Sequence, residues 1–192
     1  MKTLRLFIAT DIDESTKEKI QGIRKTLLKL APNIKWTAPD TWHLTIKFLG
    51  ETKEEKINAI IEKCNNIAKN YSTFYINLKG ISSFPNTKLP RVIFIDTIYP
   101  QQFKEMALAL HNELLDLDFK KEDRDFHPHL TLGRIKDIKS FLRGNENIME
   151  KIIETGKAID YKVIIDSFHL YQSKLSQKGP TYIKIKSFCL IR

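Results

Sequence analysis

Two short stretches of this chain carry side chains that could do chemistry together: His43-Leu44-Thr45, opening HLTIKFLG, and His129-Leu130-Thr131, inside HPHLTLGR. An imidazole titrates near neutral pH and can give or take a proton, and a threonine hydroxyl can hydrogen-bond an anionic oxygen. One His-x-Thr on a strand is most often structural. Two copies, each opening an apolar run, are what a phosphodiester reaction at a ribose 2′-OH would use. There the nucleophile loses a proton, the leaving oxygen gains one, and each transfer is worth roughly 10²–10⁴-fold. The hydroxyls of Thr45 and Thr131 would hold the phosphate between the rings. No metal is needed. The chemical rival is chelation by His127 and His129, which share a strand face, but no Asp, Glu or Cys set at metal-ligand spacing accompanies them. A glycine-rich phosphate loop and a G-x-S-x-G elbow are absent.

The elements that must position these residues recur. Arg5-Leu6-Phe7-Ile8-Ala9 and Arg91-Val92-Ile93-Phe94-Ile95 both read as first strands, and each stands 38 residues before its motif histidine. An amphipathic helix follows each. In the first, Ser15 and Glu18 form a capping-box pattern ahead of the stripe Ile20, Ile23, Leu27, Leu30; in the second the stripe is Phe103, Met106, Leu110, Leu114, Leu117. After HLTIKFLG, Thr52 and Glu55 read as the cap of a helix lined by Ile57, Ile60, Ile61, Cys64 and Ile67. The matching stretch 137–155 is interrupted at Gly144 and Asn145. TFYINLKGI (73–81) and IDYKVIIDS (159–167) then offer a further strand each, and YIKIKSF (182–188) returns at the end. The expectation is an α+β, bilobal, duplicated β-α-β-α-β fold. Two antiparallel-type sheets would face a central cleft with helices outside, all within one domain of two pseudo-symmetric lobes over 1–192. SSFPNTKLP (82–90) is the expected crossover between lobes.

Strict alternation along these strands assigns faces. Leu44, Ile46 and Phe48 point to the helices, and His43, Thr45 and Lys47 to the cleft. Leu130, Leu132 and Arg134 share one face; His127, His129, Thr131 and Gly133 share the other. Lys47 is therefore a candidate phosphate neighbour. Arg134 is a candidate too, although alternation turns it away. Tyr171 and Phe126 are candidates for stacking a terminal base, and His169 is placed at a strand end.

With 192 residues, 42% of them apolar, the chain can bury a substantial core. Its formal charge of +9 favours a polyanionic partner such as RNA. Its apolar runs are too short to cross a bilayer, the N-terminus lacks a long leader-type apolar stretch, and its two cysteines, Cys64 and Cys189, read as reduced thiols. These features suggest a cytoplasmic protein. An internally duplicated chain builds its own cleft, so a monomer is expected.

HLTIKFLG, the FHPHLTLGR block, RLFIATDI and LYQSKLSQKGPTYIKI resemble the 2H phosphoesterase superfamily. More narrowly, they resemble its LigT-like branch, the RNA 2′,3′-cyclic phosphodiesterases also called 2′-5′ RNA ligases. The likeness spans nearly the whole chain. It implies cofactor-free hydrolysis of a terminal 2′,3′-cyclic phosphate on RNA to a 2′-phosphate, with His43 as proton donor and His129 as proton acceptor. Substrates so implied include the ends of tRNA halves and small cyclic nucleotides. A reversible 2′-5′ ligase acting on RNA halves, and a non-catalytic module that binds RNA ends, remain open beside it. One departure stands out: many relatives have Arg where this chain has His127.

Overall fold

The computed structural model describes residues 2–120, 125–143, 147–177 and 179–192. Gly144 and Asn145 lie outside them. The strands in chain order are β1 (Thr3–Asp11), β2 (Lys35–Trp36), β3 (His43–Lys53), β4 (Phe74–Phe84), β5 (Val92–Ile98), β6 (Leu130–Arg134), β7 (Asp160–Ile165), β8 (Ser167–Ser176) and β9 (Gly179–Cys189). The α-helices are α1 (Glu14–Leu30), α2 (Ile57–Ala68), α3 (Gln101–Leu115), α4 (Ile138–Leu142) and α5 (Ile148–Gly156). No described helix is long and apolar enough to cross a membrane.

The sheet is antiparallel throughout and curls as a half-barrel, in the order β7-β4-β5-β6-β3-β1-β8-β9, with β2 added on β6. Its two halves meet between the motif strands, at the pair Leu44–Leu130. The helices cover one face. Ile20 and Leu27 of α1, Ile60 and Cys64 of α2, and Phe103, Met106, Leu110 and Leu114 of α3 are completely buried there against Leu44, Leu130 and Leu132. The other face carries a separate small cluster, Phe7, Ala9 and Tyr171 with Tyr182 against it. That face is the cleft.

The expected α+β architecture is present, but the two expected sheets are halves of one continuous curled sheet, and the halves of the chain do not coincide with them. β4 comes from the first half of the chain and pairs with β5 and β7; β8 comes from the end and pairs with β1. Each sheet half is thus completed by a strand from the other half of the chain. The stretches 73–81 and 159–167, expected as counterparts, are adjacent strands of one sheet half. The stretch 82–90 joins β4 to β5 within that half, and the Arg91 N–H closes the connection on the Phe84 carbonyl at 2.7 Å. Its Pro, Ser and Asn residues mark a hairpin connection, as such clusters do, and not a crossover. Two caps also differ from expectation. Asp13, not Ser15, caps α1, taking the Thr16 N–H on Oδ1 at 2.9 Å. A 3₁₀ turn, Glu54–Lys56, leads into α2, and Thr52 instead bonds the Gly50 carbonyl at 3.1 Å.

Strict alternation fails at a matching point in each motif strand, and in β3 again at Leu49, which is extra between Phe48 and Gly50. In β3, Thr45 pairs with Ala9 but Lys47 with Ile8, so Ile46 is an extra residue. In β6, Thr131 pairs with Phe94 but Gly133 with Ile93, so Leu132 is extra. A bulge of this kind reverses the facing of the residues beyond it, in β3 as far as Leu49. Lys47 therefore turns to the helix side, where it is 2% exposed and its Nζ donates to the Lys120 carbonyl at 3.1 Å. Phe48, expected inside, is 64% exposed. Gly133 faces the core, where a Cβ would stand 2.8 Å from Ile34 Cγ2 and 2.9 Å from Trp36 Cε3. Trp36 cannot readily yield, because its indole N–H is bonded to the Ala31 carbonyl at 2.9 Å. Gly133→Ala is expected to lower stability by about 1–3 kcal/mol, the usual cost of overpacking. An unchanged urea midpoint would contradict this account of the bulge.

Candidate active site

The site is built on the Leu44–Leu130 pair. Both leucines are completely buried, and their neighbours on either side face the cleft. Because the strands run antiparallel, His43 lies on the side of Thr131 and Thr45 on the side of His129. The two histidines thus occupy one diagonal of the quartet and the two threonines the other.

Each ring is held in the same way. His43 Nδ1 lies 2.8 Å from the Thr41 carbonyl, and His129 Nδ1 lies 2.9 Å from the His127 carbonyl, in both cases two residues upstream. A carbonyl only accepts, so Nδ1 carries the hydrogen, and Nε2 is the free nitrogen of the neutral ring. Aromatic side chains complete each wall. Phe7 lies 4.9 Å from the His43 ring, and Tyr182 meets it edge-on at 5.0 Å. Phe84 and Phe94 meet His129 edge-on at 5.0 and 5.1 Å.

Both imidazoles are harder to protonate than a free histidine. Burial takes His43 down to about 4, aided by the positive fields of His129 and Arg134 and opposed by the Thr41 bond and by Asp11. Burial also lowers His129, aided by His127 and Arg134 and opposed by the bond to the His127 carbonyl and by Asp96. Arg134 acts on both rings. The bulge at Leu132 returns it to the cleft face, from which strict alternation turns it away.

The remaining candidates divide. His127 does stand beside His129, with ring centroids 6.3 Å apart, and its Nε2 lies 3.0 Å from Asp96 Oδ1. Lys47 is turned away from the cleft. Phe126 packs edge-on against Phe103 of α3 at 5.0 Å and belongs to the core, not to a stacking platform. Tyr171 lies under the cleft but is 8% exposed, stacked on Phe7 at 5.2 Å with its hydroxyl donating to Asp11 Oδ1 at 2.6 Å. Neither ring is open to a base. Phe7 and Tyr182 escape the sequence reading, although alternation along RLFIATD already sets Phe7 and Ala9 on the face opposite Leu6 and Ile8. Among the described residues no group of three or more His, Cys, Asp or Glu gathers as a metal site.

A curled antiparallel sheet that brings two His-x-Thr strands together across a cleft defines the class: a 2H phosphoesterase. The chain belongs to the LigT-like phosphoesterase family, whose model matches residues 11–94 and again 97–182. It is 36% identical over 186 residues to the RNA 2′,3′-cyclic phosphodiesterase of Methanocaldococcus jannaschii, covering 96% of this chain and 100% of that one. It is 32% identical over 185 residues to the protein of the same name from Archaeoglobus fulgidus, covering 96% and 99%. Among solved structures it resembles the TT0787 protein of Thermus thermophilus, with a TM-score of 0.79, 25% identity and coverage of 97% and 98%. Escherichia coli LigT complexed with 3′-AMP shares the fold, with a TM-score of 0.80, 23% identity and full coverage of both chains.

Proposed function

We propose that this chain is an RNA 2′,3′-cyclic phosphodiesterase that opens a terminal cyclic phosphate to a 2′-phosphate with two histidines and no metal ion. The observation that carries the reading is the matched pair of imidazoles. Each is tied at Nδ1 to the carbonyl two residues upstream, and they stand on opposite sides of the Leu44–Leu130 junction. The names of the archaeal relatives supply the substrate class.

In this mechanism His129 Nε2 takes a proton from water as the water oxygen bonds to phosphorus. The bond from phosphorus to the 3′-oxygen breaks, and protonated His43 gives that oxygen its proton. The product carries a 2′-phosphate and a 3′-hydroxyl. His129 ends protonated and His43 neutral, and exchange with solvent resets both. The hydroxyls of Thr45 and Thr131 bond the non-bridging oxygens, and Arg134 adds a positive charge beside them. Anion binding between the rings offsets their burial and allows His43 to acquire the proton it must donate.

The test is a short oligoribonucleotide ending in 2′,3′-cyclic phosphate, incubated with the protein in EDTA. A 2′-phosphate product is expected. Turnover that appears only on adding a divalent metal would overturn the metal-free mechanism.

Phe48 is the aromatic ring this reading assigns to the substrate base. It stands on the cleft face, 6.3 Å from Phe7, with most of its surface open. Stacking of one base on such a ring contributes about 1–3 kcal/mol. Phe48→Ala is therefore expected to raise KM for an oligonucleotide between about fivefold and 150-fold, while the affinity for inorganic phosphate holds. Equal losses for both ligands would remove Phe48 from the base subsite.

A further inference from the structure

The register of the first strand in each lobe sets a carboxylate beside each motif imidazole. Along β1 the cleft-facing residues are Phe7, Ala9 and Asp11, paired with Phe48, Thr45 and His43. Along β5 they are Val92, Phe94 and Asp96. Val92 pairs with Arg134 and Phe94 with Thr131, and Ile95 pairs with Leu130, so the next step of the ladder brings Asp96 alongside His129. The two aspartates are 85 positions apart, whereas the histidines are 86 apart. A single offset therefore aligns Asp11 with Thr97 and hides the match, which appears only once strand pairing is known.

Resting on the two-histidine reading of the site, we propose that Asp11 and Asp96 are matched positioning residues, each favouring the protonated form of the imidazole beside it: Asp11 for His43 and Asp96 for His129. Neither need touch the substrate. The other charged or titratable groups facing His43 are His129, immediately before β6, and Arg134 of β6, with Tyr171 of β8 and Tyr182 of β9 packed near its ring. Those facing His129 are His43, His127 and Arg134. Arg134 opposes protonation of both rings, whereas Asp11 favours it at His43 and Asp96 at His129.

The two carboxylates are held differently. Asp11 accepts from Tyr171 Oη at 2.6 Å and from Lys184 Nζ at 2.9 Å, and His169 Nε2 stands 3.5 Å away. Burial works against the charge on Asp11, yet the bonds from Tyr171 and Lys184 hold its carboxyl below the usual range. His169 is itself fixed through Nδ1 to the Ser187 hydroxyl at 3.0 Å. Asp96 is more open. Its Oδ1 takes the Thr97 N–H at 2.8 Å and faces His127 Nε2 at 3.0 Å. His127 is thus placed as the partner of one member of the pair.

The test reads each histidine separately. Side-chain ¹⁵N resonances of His43 and His129 are followed from pH 8 to pH 3 in the full-length protein and in Asp11→Asn and Asp96→Asn, with pH profiles of kcat/KM alongside. Asp11→Asn is expected to lower the His43 midpoint by about half a unit to one unit, the size of one partly screened charge at this range, and to leave His129 in place. Asp96→Asn is expected to do the converse. Lys184→Met, an exposed change that leaves more of the Asp11 charge unshared, is expected to raise the His43 midpoint, and it serves if Asp11→Asn fails to fold. Midpoints that do not move, or that move together in both aspartate variants, would overturn the proposal. Selective shifts in a protein without turnover would support the pairing and overturn the proposed reaction instead.

Discussion

His43→Ala and His129→Ala are each expected to reduce turnover of a terminal 2′,3′-cyclic phosphate by about 10²–10⁴-fold, the range for loss of one general acid or base. The double variant should lose far less than the product of the two, because residues that act as a unit are not additive. The reason lies in the reaction path. With His43 gone, the 3′-oxygen must leave as an alkoxide even if His129 has activated the water, so the second ring has little left to accelerate. Binding should be spared, since Thr45, Thr131 and Arg134 remain. Phosphate affinity measured by calorimetry is the control, and it should change by less than tenfold in either variant. Full activity in one single variant would show that its histidine takes no part in proton transfer. A loss of phosphate affinity equal to the loss of turnover would assign both rings to binding and revive the reading of the chain as an RNA-end binding module.

Much of this site is legible in the sequence, and the illegible part has one physical origin. Period-two alternation with apolar Leu44 and Leu130 is a local property, so the facing of His43, Thr45, His129 and Thr131 can be read from a few residues. It stops being local at a bulge. Whether Ile46 or Leu132 is an extra residue depends on how many residues the partner strand offers, which no short window records. The errors at Lys47, Phe48, Gly133 and Arg134 all follow from that, whereas the match between Asp11 and Asp96 is hidden by segment length, 32 positions separating Asp11 from His43 and 33 separating Asp96 from His129. The assignment of strands to the two sheet halves fails for a related reason. Strands 73–81 and 159–167 are recognisable as strands, but pairing is a long-range choice, and both find places in the same sheet half. Helices fare better because their stripes are local: Ile20 and Leu27, and Phe103, Met106, Leu110 and Leu114, are all fully buried as the 3.6-residue period requires. Tyr171 and Phe126 show the limit for aromatics. Composition identifies a ring able to stack, whereas its availability depends on what already covers it. Phe7 and Phe103 take those two faces.

The pH dependence of the reaction should carry the mark of the buried acid. In the proposed mechanism the competent free enzyme has His43 protonated and His129 neutral. His43 lies near 4 and His129 lies below its ordinary 6.5, in both cases chiefly through burial. Above pH 6.5 both rings are therefore neutral in the empty cleft, and the competent fraction falls in proportion to the proton concentration. kcat/KM, which reports the free enzyme, is expected to drop about tenfold per pH unit there, or roughly a hundredfold from pH 6.5 to 8.5. On the acidic side it should fall again once His129 takes up a proton, giving an optimum in weakly acidic solution whose two limbs belong to the coupled pair and not to either ring alone. Bound substrate alters this balance. A phosphodiester anion between the rings favours their charged forms, so kcat should hold to a higher pH than kcat/KM does. Substrate binding should also take up a proton, visible as a dependence of the binding enthalpy on the buffer used. A kcat/KM that stays level from pH 6.5 to 8.5, with no proton uptake on binding, would mean that His43 does not enter the reaction as an acid. The leaving oxygen would then have to obtain its proton elsewhere.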